Sequence, residues 1–81
     1  MRLTKQSSEN LKVAERVGFD ETDAGVLVFV ERGGNRAYLH TADGPACYLS
    51  ITDARAAVRK HRPNLVAVKP GPRRATASPG R

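Results

Sequence analysis

Residues 25–51 read GVLVFVERGGNRAYLHTADGPACYLSI, three apolar runs separated by two glycine-bearing turns. Glycine reaches positive φ at no steric cost, so Gly33-Gly34 marks one hairpin turn and Asp43-Gly44 a second. The run from Val26 to Val30 is unbroken and rich in β-branched residues, the pattern of a strand covered on both faces in the middle of a sheet. A two-residue loop at Gly33-Gly34 sets Arg32 opposite Asn35, Glu31 opposite Arg36, Phe29 opposite Tyr38 and Leu27 opposite His40. One face then carries Leu27, Phe29, Glu31, Arg36, Tyr38 and His40, and the other Val26, Val28, Val30, Ala37 and Leu39.

The third run, residues 46–51, alternates Cys47, Leu49 and Ile51 against Ala46, Tyr48 and Ser50. An odd loop of Asp43, Gly44 and Pro45 would put the first set beside Ala37 and Leu39 and leave Tyr48 accessible; a two-residue loop would put Tyr48 in the core. The odd loop is expected.

Downstream, Ser50-Ile51-Thr52-Asp53 places a hydroxyl three residues before an acid, a helix-start signal in which Ser50 or Thr52 is the cap. Ala54, Ala57, Val58 and His61 form an apolar stripe, while Arg55, Arg59 and Arg62 recur at i, i+4 and i+7 on another face. Pro63 stops this helix, and residues 65–68 return as a short strand beside the first strand or at a sheet edge. Upstream, Ser7 or Ser8 caps a helix over residues 8–17 with Gly18 as its C′ residue. Residues 20–23 form an acidic loop. The expected fold is α+β in the order α-β-β-β-α-(β), with a three- or four-stranded antiparallel sheet packed with one or two helices. Residues 1–68 make the domain. Residues 69–81, KPGPRRATASPGR, carry no large apolar side chain and are expected to be a disordered basic tail.

A chain of 81 residues makes one small domain that buries only roughly 60% of its unfolded surface. Its core must be built from Val, Leu, Ala and Ile, leaving no room for a deep substrate cavity. A single cysteine, Cys47, excludes an internal disulfide and a paired-cysteine zinc site. No apolar run is long enough for a signal peptide or a membrane span, so a cytoplasmic protein without metal or cofactor is expected. The net charge is +6 and unevenly distributed. Residues 1–54 hold six Lys/Arg against eight Asp/Glu, whereas residues 55–81 hold eight Lys/Arg and no acid. Such asymmetry is the footprint of a polyanionic partner, DNA or RNA, and equally of a solvated helix face followed by a soluble tail.

Arg55, Arg59, Lys60 and Arg62 on the second helix, with Lys69, Arg73 and Arg74 in the tail, can track a phosphate backbone. Arg36 and Tyr38, alternating with His40, can contact phosphates and stack on bases or sugars. Their alternative is internal: Tyr38 packed on Phe29 beneath the first helix, Arg36 paired with Glu31, and His40 at a wet strand end. Catalysis is not expected. His40, His61, Ser50, Asp53 and Cys47 form no evident nucleophile and base set, and the glycine-serine-histidine surround of the small toxin ribonucleases, whose element order is similar, is absent around His40.

The stretch VLVFVERGGNRAYLHTADGPACYLSITDARAAVRKH resembles the arm-type DNA-binding domain of phage-type tyrosine integrases. There a helix begins with a serine, an aliphatic residue and an acid-Ala-Arg run, as Ser50-Ile51-Thr52-Asp53-Ala54-Arg55 does here. The resemblance covers less than half the chain. It implies three strands on one helix, a phage or mobile-element setting, and a sheet entering the DNA major groove through Arg36, Tyr38 and His40. The expected function is non-catalytic nucleic-acid binding. The alternative is a small protein-binding module that inhibits or adapts a larger nucleic-acid enzyme through a sheet edge or the acidic loop.

Overall fold

The run at residues 26–30 is the middle of the sheet: Val26, Val28, Phe29 and Val30 are each at most 5% exposed. The computed structural model describes residues 2–68. In chain order these form α1 (Lys5–Val13), β1 (Arg16–Thr22), β2 (Gly25–Arg32), β3 (Asn35–Tyr38), β4 (His40–Thr41), β5 (Gly44–Pro45), β6 (Cys47–Tyr48), α2 (Ile51–His61) and β7 (Val66–Ala67).

The fold is α+β. β2 pairs antiparallel with β1 along one edge, from Arg16 opposite Glu31 to Thr22 opposite Gly25. Its other edge is shared by β3, with the expected Phe29–Tyr38, Glu31–Arg36 and Arg32–Asn35 pairs, and by β6, which pairs Val26 with Tyr48. β7 adds to the outer edge of β1 in parallel, so the sheet is mixed and not antiparallel throughout. Between β3 and β6 the chain leaves the sheet as the β4–β5 ribbon, so His40 lies opposite Pro45, and Leu27 opposite Cys47 instead of His40. Leu11 and Ala14 from the first helical segment, and Ala54 and Val58 of α2, pack on Val17, Val28, Val30 and Leu39, all on one side of the sheet.

The first helix is shorter and earlier than the spacing of Leu11, Ala14 and Gly18 suggests. Its cap is Thr4, whose Oγ1 accepts from Ser7 N at 3.1 Å. Ser7 is therefore inside the helix and buried, where its Oγ accepts from His40 N at 2.7 Å. Helix ends at Val13 because Ala14 turns extended and the next residues become β1. Gly18 is a strand residue, and Asp20 and Glu21 belong to that strand, so there is no acidic loop over residues 20–23. The physical cause is the second edge of β2. Its buried N–H and C=O groups need partners, and residues 16–22 offer Val17 and Phe19 on the core side with Arg16, Gly18 and Asp20 on the other.

The odd loop is also overturned. Thr41 pairs with Gly44 around a two-residue turn, Ala42-Asp43, and Ala46 N donates to Leu39 O at 2.9 Å. This even register puts Ala46 and Tyr48 against the core, leaves Cys47 half-buried on the other face, and exposes Leu49 to 93%. Ile51 still packs on the core. One device builds both this turn and the one joining β1 to β2. Thr22 Oγ1 accepts from Ala24 N and donates to Gly25 O at 2.8 Å, and Thr41 Oγ1 accepts from Asp43 N and donates to Gly44 O at 3.1 Å. The glycines sit at φ +137° and +130°, a region side-chain-bearing residues avoid.

The helix start at Ser50 is as expected, its Oγ accepting from Asp53 N at 3.1 Å. Along α2, Ala54 and Val58 are buried, whereas His61 is exposed rather than part of the apolar stripe. β7 lies at the sheet edge, as expected for residues 65–68. The expected disordered tail lies outside the described residues. No described helix is long and apolar enough to cross a membrane.

Candidate functional site

Arg55 and Arg59 stand one turn apart on the exposed side of α2 and overhang a groove of about 280 Å³. Its floor is apolar: Val17 and Phe19 from β1, Val58 from α2, then Leu65 and Ala67. No carboxylate of the described residues lines it. Neither arginine has a carboxylate within ion-pair distance, since Arg36–Glu31 is the only ion pair among the described residues.

Arg62 shares the helical spacing of Arg55 and Arg59 but has a different task. Its Nη1 donates to Leu11 O at 2.9 Å, Lys12 O at 2.8 Å and Ala14 O at 3.2 Å. The last carbonyls of a helix lack intrahelical partners and carry the negative end of its dipole, so a guanidinium there satisfies both needs. Arg62 thus ties the end of α2 to the end of α1.

Lys60 points elsewhere. It lines a second groove of about 530 Å³ between the helices, together with Arg2, Tyr48, Asp53 and His61 over a floor that includes Leu11 and Leu39. The basic helix is therefore split between two grooves: Arg55, Arg59 and Arg62 line the smaller one, and of these Arg62 has its Nη1 held by the carbonyls at the end of α1.

On the opposite side of the sheet, Arg36 and Tyr38 are engaged with their neighbours. Arg36 Nη2 and Nε donate to Glu31 Oε2 at 2.9 and 3.2 Å, and the guanidinium lies 4.0 Å from the Phe29 ring centre. The hydrogen bond from Arg36 to Glu31 raises the already high arginine pKa further. Tyr38 meets Phe29 edge-on at 5.6 Å and donates its hydroxyl to Asp20 Oδ2. That bond, assisted by burial, raises the Tyr38 pKa above the usual tyrosine value. Tyr38 packs on Phe29, but on the face away from the helices. His40 is exposed, with Nδ1 3.0 Å from Tyr38 O. Lys69, Arg73 and Arg74 lie outside the described residues.

Phe19, which would fold back onto the last turn of a helix ending at Gly18, is instead a β1 residue lining the groove beside Arg55 and Arg59. Its alternation with Val17 was the available signal, masked because Gly18 between them reads as a helix stop. Among the described residues no three His, Cys, Asp or Glu side chains converge as a metal site would require. No family model, curated protein or solved structure matches this chain.

Proposed function

We propose that this protein binds nucleic acid without catalysis, with Arg55 and Arg59 as its principal phosphate contacts in the folded domain. The observation that carries this reading is the pairing of those exposed arginines beside a groove without a carboxylate. They also begin a stretch, residues 55–81, with eight cationic side chains and no acid. Lys60 adds charge from the flank, and Lys69, Arg73 and Arg74 extend it in sequence. Arg62 is assigned to holding the helices together. Arg36 and Tyr38 serve the sheet, since contact with DNA in the integrase-like manner requires breaking the bonds to Glu31 and Asp20. A cytoplasmic setting suits the lone thiol of Cys47.

The test is a salt titration of affinity for DNA and for RNA. Counterion release makes log K fall linearly with log salt. Absence of measurable affinity at low salt sinks the reading. The alternative, a protein-binding module, draws on the exposure of Val66 on edge strand β7, 61%, and of Leu49. Affinity capture with and without nuclease separates the two, because a stoichiometric protein that survives nuclease favours the second.

A further inference from the structure

We propose that the groove between α2 and the β1–β7 edge receives one unpaired base of a single-stranded nucleic acid, while Arg55 and Arg59 hold the flanking phosphates. This deepens the nucleic-acid reading above and rests on it. Binding of single strands combines a cationic track with an aromatic platform on which bases stack. The chain has four aromatic residues, and three are excluded from such a role beside the arginine patch. Phe29 is 4% exposed, sealed between Arg36 and Tyr38. Tyr38 is bonded to Asp20, on a face that also carries Glu31. Tyr48 lies in the larger groove, which neither Arg55 nor Arg59 lines and where Asp53 offsets part of the charge of Arg2 and Lys60. Phe19 alone is half-buried in a groove whose charged residues are all arginines.

Size points the same way. Pockets for whole drug-sized ligands span about 300–1,000 Å³, so a groove of about 280 Å³ suits a single planar group. A duplex keeps its bases stacked inside and offers this groove nothing to fill its apolar floor. A single strand presents an unstacked base and phosphates on either side.

The full-length protein is titrated against a labelled single-stranded oligonucleotide, the same sequence as a duplex, and poly-glutamate as a base-free polyanion. The single strand should bind about tenfold tighter than the duplex, the scale of one base–aromatic stack. Phe19→Leu keeps apolar volume but removes the platform, and should weaken single-strand binding roughly fivefold or more with duplex affinity unchanged. Ala67→Leu fills the groove from an exposed edge position and should act alike, so the inference stays testable even when Phe19→Leu fails to fold. Equal or tighter duplex binding, or wild-type single-strand affinity in either variant that folds, overturns the inference while phosphate contact by Arg55 and Arg59 stands. No affinity for either nucleic acid overturns both, and tighter binding of poly-glutamate reassigns the groove to an acidic protein.

Discussion

The ring of Phe29 lies across the backbone of Gly18, so close that a β-carbon at position 18 would stand 2.0 Å from Phe29 Cζ. The two residues face each other across the β1–β2 pair. Glycine here makes room, and the aromatic ring covers backbone that would otherwise be wet.

Gly18→Ala should therefore destabilise the domain by about 1–3 kcal/mol, as overpacking does. The urea midpoint measures this. Combined with Phe29→Leu, the total loss should be smaller than the sum of the two single losses, because the double variant removes the clash. Additive losses would show that ring and glycine do not oppose each other.

Arg62→Gln should cost about 1.5–3 kcal/mol, the range for hydrogen bonds made by a charged group. The salt slope of nucleic-acid affinity should stay unchanged, since this guanidinium is bound to the carbonyls ending α1. A variant with native stability and a flattened slope would return Arg62 to the phosphate contacts.

Replacing Arg55 and Arg59 together by glutamine should do the reverse. Stability should move by less than about 0.5 kcal/mol. The slope of log K against log salt should flatten by about 1.4 for single strands or about 1.8 for B-DNA, two contacts in each case. An unchanged slope would remove both residues from the interface.

Both Tyr38 and Tyr48 have raised pKa values, the first through its bond to Asp20 and the second through burial. Above the ordinary tyrosine pKa of 10.0 the unfolded chain loses protons that the folded chain retains. Stability should then fall as pH rises through the native values, having been fully present below 10.0. Tyrosinate absorbance titrated in folded and urea-unfolded protein checks the sign. Tyr38→Phe should remove part of the alkaline loss.

Much of the candidate site was legible because its determinants are local. Arg55 and Arg59 share a helix face by spacing alone, and the Ser50 cap and Pro63 stop bound that helix within a few residues of sequence. The separate fate of Arg62 was not legible, because its partners lie about 50 residues away, at the end of α1. Phe19 was hidden for a similar reason, since its place in the groove depends on residues 16–22 being strand.

What the amino-acid sequence determined by itself is what short-range chemistry controls. Gly33-Gly34 imposes the turn, and with it the Phe29–Tyr38 and Glu31–Arg36 pairs. The β-branched run at residues 26–30 demands burial on both faces, and the hydroxyl of Ser50 opens α2. Tertiary structure decided what depends on distant partners. Residues 16–18 fit helical spacing and strand alternation equally well, and only the unpaired edge of β2 selects the strand. The third strand likewise allowed two registers. Contact of Ala46 and Tyr48 with the core, together with the Thr41–Gly44 turn, chose the even one, because a one-residue slip sends every side chain of a strand to the opposite face.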